Sequence, residues 1–195
     1  MQANSGAVFK AIVMSVSLLA MAACSTGAAD KDLAFDPTSN KAIVVFGWEG
    51  LDGWRGATVG MSFRGVDSAG ALDKRNFYVS NGNGWEAMKS AEYYVVQVEP
   101  GSYVASSTVT SLGRGNNVTV FCLGTVGFDA PAGQVVYIGN FAAPKGIGAI
   151  KVAPPNMGAA TEKLATYPKI NQRLIPSPIR KADYPSPECK KDSER

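Results

Sequence analysis

The 195-residue chain contains no histidine, and this absence excludes a wide range of chemistry. Triads of Ser, His and Asp, Cys–His nucleophile pairs, imidazole general bases and histidine metal sites are all ruled out. Catalysis by a pair of carboxylates is compatible with the composition, but no spacing in the sequence defines its geometry. The composition therefore favours a function other than catalysis.

Cysteine is also scarce, with Cys24, Cys122 and Cys189 as the complete set. Neither Cys122 nor Cys189 has a close cysteine or histidine neighbour in the sequence, so we expect no metal site and no cofactor. The full chain carries a formal net charge of only +3. Its basic residues are concentrated after position 160, where they favour an anionic surface or simply make the tail soluble.

Apolar runs long enough to span a membrane are missing as well. Lys10 is followed by an apolar run over 11–19 and then by small residues up to Cys24. A charged residue, a short apolar segment and a small-residue cleavage site form the layout of a bacterial secretory signal. The run is too short for a membrane-spanning helix, which needs about 20 residues. We expect residues 1–23 to be a removed signal peptide.

Cys24, placed directly after Ala22 and Ala23, resembles the lipobox of bacterial lipoproteins. In that family the cysteine is lipidated on sulfur, the signal is removed before it, and its new amino group is acylated. The resemblance implies that Cys24 attaches the mature chain to a membrane through lipid. Met21 stands where the family usually has leucine. The alternatives are an ordinary secretory signal cut near Ala23 and an uncleaved anchor.

Residues after Cys24 are small and polar, without sustained periodicity, so the sequence predicts a lipidated, flexible tether over 24–40. The sixteen residues of 25–40 span up to about 50 Å when extended. Ser25 follows the cysteine, where Gram-negative lipoproteins retained in the inner membrane often have aspartate. The resemblance therefore implies the outer membrane, with the protein facing the periplasm.

With Cys24 lipidated, two cysteines remain in an exported, oxidising compartment, and they permit one intramolecular disulfide, Cys122–Cys189. In a strand over 118–123, Phe121 and Leu123 share one face and Cys122 lies on the other. If Phe121 and Leu123 face the core, Cys122 faces outward, where a returning tail reaches it. The alternative is a buried, free thiol at Cys122.

Residues 41–153 consist of short β-rich runs separated by Gly, Asn, Asp and Pro. No helical pattern lies between them, which favours an all-β fold, an antiparallel β-sandwich of about seven to eight strands. Strands are predicted at 42–46, 58–64, 75–79, 93–98, 103–110, 118–123, 134–141 and 149–152. Pro100 and Gly101 predict a type II turn that joins 93–98 and 103–110 in a hairpin, and 81–84 predicts a second turn.

The last part of the chain, 154–195, is rich in proline and basic residues. A short helix is predicted over 158–167, with Asn156 as its N-cap and Pro168 at its end. The remainder has too few apolar residues to fold alone. It either extends into solvent or crosses the sandwich, held by Cys189.

The lipobox, the strand KAIVVFG, the segment VEPGSYV and the later strand QVVYIGNF together resemble a group of bacterial lipoproteins of unassigned activity. These lipoproteins have a transthyretin-like, carbohydrate-binding-like β-sandwich. In them a strand leads into Pro-Gly-x-Tyr, and an aromatic-bearing strand follows a Gly turn, which match 98–104 and 133–141 here. The resemblance covers about 41–152 and implies a fold and an envelope location, but no catalytic residues.

Segment 47–56 is the main candidate for a binding surface, because it combines aromatic and charged residues among glycines, and Trp85 follows a second Gly-rich turn. Aromatic rings cover the C–H face of a sugar while charged groups bond its hydroxyls. The candidate ligand-binding residues are Trp48, Glu49, Asp52, Trp54, Arg55 and Trp85. The alternative is that each tryptophan plugs the end of the sandwich.

The sequence thus predicts a lipid-anchored envelope protein that holds or binds an envelope protein or a glycan without catalysis. The alternative from another class is a carbohydrate-active enzyme that uses the loop carboxylates Glu49 and Asp52. Nucleic acid is excluded as a partner by the export signal and the weak net charge.

Overall fold

The computed structural model describes residues 29–49, 58–80, 92–112, 115–142, 149–185 and Cys189, and Cys24 lies outside them. The side chains of residues 49, 58, 59 and 112 are also outside the description. The elements of the described chain are β1 (Ala42–Glu49), β2 (Thr58–Val66), β3 (Leu72–Ser80), β4 (Glu92–Val98), β5 (Gly101–Leu112), β6 (Gly115–Val120), β7 (Thr125–Ala130), β8 (Val135–Ala142), β9 (Lys151–Ala153), α1 (Met157–Ala165), β10 (Ile175–Pro176) and β11 (Arg180–Ala182).

The strands form two sheets that pack face to face, which confirms the predicted all-β sandwich. The inner sheet has the order β10-β8-β1-β4, with β9 also paired to β8. The outer sheet has the order β11-β7-β5-β2-β3, with β6 also paired to β5. Most pairs are antiparallel, whereas β8 runs parallel to both β1 and β10.

Aromatic rings fill the space between the two sheets. Phe63 of β2 lies with its ring centroid 5.3 Å from that of Phe46 on β1 and 4.4 Å from that of Phe77 on β3. Phe128 and Phe141 complete this cluster, and both are fully buried. Burying one such side chain contributes about 1.5–3 kcal/mol. The cluster therefore holds the sheets together and fixes their alignment.

Strand β1 is buried on both of its faces. Val44 and Phe46 point toward the outer sheet, while Ile43 and Val45 point to the opposite side. That opposite side is covered by a third layer, formed by residues 29–40 and 154–174, which adds a second hydrophobic core. An uninterrupted apolar run is typical of a strand that is covered on both faces.

Helix α1 confirms the predicted short helix and its N-cap. Asn156 accepts a hydrogen bond from the backbone N–H of Ala159 at 3.1 Å. Ala160 and Leu164, one helical turn apart, are the buried residues of the helix and pack in the second core. No helix in the part of the chain that the structure describes is long and apolar enough to cross a membrane.

Residues 29–40, which the sequence assigns to the flexible tether, pack on the sandwich instead. The backbone N–H of Ala29 donates to the carbonyl of Val95 on β4 at 2.7 Å. Phe35 is buried and forms a parallel bridge with Ile170, and Leu33 packs beside it. The apolar side chains of Leu33 and Phe35 pack on the apolar face of the inner sheet and, with the backbone hydrogen bonds, dock this polar segment.

The predicted hairpin between 93–98 and 103–110 is wrong. Strand β4 pairs with β1 in the inner sheet, whereas β5 pairs with β2, β6 and β7 in the outer sheet. The connection through Pro100 and Gly101 carries the chain from one sheet to the other, with Gly101 at φ +138°. A Pro-Gly turn fits either arrangement, so the distant partner strands decide between them.

The predicted strand over 118–123 is wrong in its second half, because β6 ends at Val120. A turn follows, in which the N–H of Gly124 donates to the carbonyl of Phe121 at 3.4 Å. Phe121 is buried as expected, but Leu123 is 71% exposed and does not face the core. Cys122 is half-buried, so the tail can reach it as predicted.

The tail crosses the sandwich over its described length, which decides between the two alternatives of the sequence. Strand β10 adds to β8 at the edge of the inner sheet, and β11 then adds to β7 at the edge of the outer sheet. Between them, the N–H of Ser177 donates to the carbonyl of Tyr137 at 2.8 Å. The tail therefore adds a short strand at one edge of each sheet.

Candidate functional site

Four strands end and four strands begin at one end of the sandwich, which we name the loop end. Strands β1, β3, β5 and β8 end there, and β2, β4, β6 and β9 begin there. Within the sheets, the registers pair Trp48 with Glu92 and Gly60 with Ser80, so the strand ends are adjacent. The crossing at 99–101 lies at the opposite end of the same strands.

Of the predicted ligand-binding residues, Trp48 is the one whose side chain the structure describes. It is only 5% exposed and packs in the core between the sheets, so it is not a surface platform for a sugar. This position matches the alternative in which tryptophan plugs the end of the sandwich. Glu49 ends β1, and its side chain lies outside the description.

The other predicted ligand-binding residues lie outside the described residues, namely Asp52, Trp54, Arg55 and Trp85. Their segments, 50–57 and 81–91, nevertheless start and finish on described strands. The first connects β1 to β2 and the second connects β3 to β4, and both connections are made at the loop end. The fold therefore attaches both tryptophan-bearing segments to the same end of the molecule.

Two polar residues at the loop end were not predicted from the sequence. The hydroxyl of Tyr94 donates to Oε2 of Glu92 at 2.9 Å. Burial, reinforced by this carboxylate, raises the pKa of Tyr94 far above its ordinary value, so its proton stays in place. Glu92 is the register partner of Trp48, whose buried Nε1 has no hydrogen-bond partner among the described residues. In the sequence, Glu92 and Tyr94 are marked only by the acidic residue that begins the apolar strand β4.

The C-terminal tail is held by a covalent bond and by an ion pair. Cys122 and Cys189, the predicted pair, have their sulfurs 2.03 Å apart, at disulfide-bonding distance. Arg180 of β11 donates to both carboxylate oxygens of Asp129 on β7, at 3.0 and 3.2 Å. The hydroxyl of Ser102 donates to the same carboxylate at 2.6 Å and, with Arg180, holds the pKa of Asp129 below its usual range.

A buried polar network attaches the third layer to the inner sheet. The hydroxyl of Tyr137 donates to Oδ1 of Asn140 at 2.7 Å and accepts from the N–H of Asn156 at 2.9 Å. The amide of Asn140 donates to the carbonyl of Pro154 at 2.9 Å. These bonds satisfy polar groups that are costly to bury unpaired. The network therefore has a structural role.

The surface of the described part of the molecule includes the following two grooves. One, of about 500 Å³, lies between the turn after β6, β9 and β11. The other, of about 440 Å³, lies beside α1 and β10. Trp48, the predicted ligand-binding residue with a described side chain, lines neither groove. Among the described residues, no three acidic or cysteine side chains come together in a way that could hold a metal ion.

Comparison with protein-family models, with curated proteins and with solved structures finds no match for this chain.

Proposed function

We propose that the protein is a lipid-anchored envelope protein whose loop end binds an envelope glycan or an envelope protein without catalysis. The observation that carries this proposal is the attachment of 50–57 and 81–91 to one end of the sandwich. These segments hold Trp54 and Trp85, which are far apart in the sequence. On this proposal the chain is a relative of the transthyretin-like lipoproteins that its sequence resembles.

The chemistry at the loop end suits a polyhydroxylated or peptide ligand. The rings of Trp54 and Trp85 offer flat apolar faces, and Asp52 and Arg55 offer hydrogen-bonding groups for hydroxyls or amides. At the start of β4, Glu92 is held in place by a hydrogen bond from the hydroxyl of Tyr94. A rigid sandwich that carries functional residues on its loops is a common arrangement for binding proteins.

The lipid anchor in this proposal is short. Only residues 25–28 separate Cys24 from Ala29, which is hydrogen-bonded to β4. Five extended peptide steps reach about 18 Å. A lipid on Cys24 would therefore hold the sandwich close to the bilayer, which we propose is the outer membrane on its periplasmic side, rather than on a tether of about 50 Å.

The proposal is tested with a tagged, soluble form, 25–195, incubated with purified sacculi and, separately, with solubilised envelope. We expect retention on sacculi or enrichment of one envelope protein. Trp54→Ala and Trp85→Ala should each weaken retention about tenfold, which corresponds to about 1.4 kcal/mol. Trp48→Ala is unsuitable for this purpose, because it removes a core residue.

Leu123→Ser is the matched control, since Leu123 is an exposed apolar residue in the turn after β6, away from the loop end. Unchanged retention in both tryptophan variants, or retention by neither material, would contradict the proposal. Turnover of a cell-wall glycan that Glu49→Gln abolishes while binding persists would instead favour the carbohydrate-active enzyme.

A further inference from the structure

The groove beside α1 and β10 lies in the third layer, between the helix and the segment that leads into β10. Its volume of about 440 Å³ is in the range of small-molecule sites. Met157, Thr161 and Leu164 line it from α1, and residues at this spacing share one face of a helix. Residues 172–176 line the other side. The groove is therefore bounded by two elements that pack on the same inner sheet.

Most of the lining of this groove is apolar. Leu164 and Leu174 are buried and belong to the second hydrophobic core. Ile175 and Pro176 are exposed, and Ile175 is one of the large apolar side chains that the described surface leaves in water. A ligand with an apolar body would remove this surface from water, which is favourable.

Gln172 gives the groove a hydrogen-bond donor that is not in use. Its Nε2 is buried and has no hydrogen-bond partner among the described residues. A buried donor without a partner destabilises a protein. No hydrogen bond within the described chain holds this half-buried side chain. Its amide can therefore turn an N–H toward an acceptor in the groove.

Arg173 gives the same part of the groove a positive charge. It is exposed, and it is the charged residue of the described lining, so no carboxylate opposes it there. Arg173 has no ion pair with another described residue, whereas the neighbouring basic residues Lys169 and Arg180 each have one. Its guanidinium is thus available to an anion, and the planar fork of N–H groups matches a carboxylate.

We propose that this groove binds a fatty carboxylate, with the acyl chain on the apolar lining and the carboxylate at Gln172 and Arg173. The unopposed charge of Arg173 selects an anion, and Gln172 adds a further donor to its oxygens. The volume of the groove suits one acyl chain rather than the two chains of a diacyl lipid. This surface is separate from the loop end, and the inference does not rest on the proposed function.

The test is isothermal titration calorimetry of the soluble form, 25–195, which contains every described residue, with decanoate below its micelle concentration. We expect one binding site per chain. Decanol has the same chain without the charge and should bind at least about tenfold more weakly. Octanoate should bind at least about threefold more weakly than decanoate, because it buries two fewer methylene groups.

Two substitutions test the carboxylate end. Arg173→Gln should weaken decanoate binding at least about tenfold. Its matched control is Lys151→Gln, since Lys151 is an exposed basic residue on β9 that lines neither groove, and this change should leave binding unaltered. Gln172→Leu should weaken binding about threefold without lowering the midpoint of denaturant unfolding, because it removes an unpaired donor. The unfolding midpoint separates lost binding from lost folding.

A second pair of substitutions tests which groove is occupied. Ile175→Glu places a carboxylate in the proposed groove and should abolish decanoate binding. Val152→Glu makes the same change at an exposed valine in the other groove and should leave binding unaltered. Absence of decanoate binding, equal binding of decanol, equal effects of Arg173→Gln and Lys151→Gln, or a larger effect of Val152→Glu than of Ile175→Glu would each overturn the proposal.

Discussion

The guanidinium of Arg75 occupies the space in which a Cβ on residue 101 would lie, so Arg75 and Gly101 define each other's positions. From this place Arg75 donates to the carbonyl of Pro100 at 2.7 Å and to that of Val66 at 2.8 Å. Its guanidinium carbon also lies 5.3 Å from the ring centroid of Tyr103. These contacts attach the crossing between the sheets to the β2–β3 hairpin.

Gly101→Ala should lower the free energy of unfolding by at least about 2 kcal/mol. The methyl group would displace Arg75 from two carbonyls, and φ +138° is strained for any residue with a Cβ. Denaturant unfolding of the soluble form measures the change. The control is Gly115→Ala, where no atom lies near the added Cβ, and we expect a change within about 0.5 kcal/mol. Similar changes in the free energy of unfolding for Gly101→Ala and Gly115→Ala would show that Arg75 and Gly101 do not fix the crossing.

Loss of the Cys122–Cys189 disulfide should destabilise the protein by about 2–4 kcal/mol, because the bond joins positions 67 residues apart and restricts the unfolded chain. The double variant Cys122→Ser/Cys189→Ser is compared with the wild type in denaturant, with and without reductant. Reductant should affect the wild type and leave the variant unchanged. Two titratable thiols in the oxidised soluble form would refute the pairing.

Asp129→Asn should lower the free energy of unfolding at neutral pH. It should also make the loss of stability at acidic pH smaller than in the wild type. The bonds from Ser102 and Arg180 hold the pKa of Asp129 below that of an unfolded aspartate, about 3.9. The native state thus gains stability above this pH and loses it as the pH falls through the lower, folded pKa. Since the ion pair is about half exposed, we expect about 0.5–1 kcal/mol at neutral pH.

The difference between wild type and Asp129→Asn should therefore shrink as acid is added below about pH 4. Thermal unfolding of both proteins from neutral pH to below about pH 4 measures this difference. The exposed Asp183, also in the tail, has no ion pair among the described residues, and Asp183→Asn serves as the control. A constant difference at every pH would mean that Asp129 acts by packing instead.

Inserting a flexible Gly/Ser segment after residue 28 should move the sandwich away from the bilayer. Lipidated protein in vesicles is labelled at residue 31 in one sample and at residue 181 in another, and quenching by headgroup-labelled lipid is measured. We expect stronger quenching at Lys31, because it lies two residues after Ala29, and the insertion should abolish this difference. Mass spectrometry checks the lipid on Cys24 independently. Equal quenching at both positions in the lipidated, uninserted protein would contradict the short anchor.

Features carried by neighbouring residues could be predicted from the sequence. The apolar run that became β1 was recognisable as a strand, and Asn156 with Pro168 delimited α1 closely. The pairing of Cys122 with Cys189 followed from counting the cysteines that remain when Cys24 is set aside as the expected lipidation site. The strand and the helix follow from local residue preferences, and the disulfide follows from a count of cysteines. None of these predictions requires knowing which distant parts of the chain come into contact.

Features that depend on a distant partner were missed. In the sequence, Phe35 is a single aromatic residue within a polar segment. Its burial depends on Ile170 and the inner sheet, which are far away in the sequence. Trp48 could be read as a sugar platform because the second sheet that buries it is invisible in segment 47–56. Leu123 was predicted to face the core because the alternation of side chains was extended through 118–123. In the structure the pairing of β6 with β5 ends at Val120, and Leu123 is exposed.

The sequence by itself determined the β-rich composition, the absence of histidine chemistry and the helix cap, because short-range sterics and residue counts decide these. Tertiary structure alone decided that β4 and β5 belong to different sheets, that 29–40 docks, and that the tail adds a short strand to each sheet. Strand pairing joins residues far apart in the chain. The lowest free energy therefore depends on all partners together, which no single segment encodes.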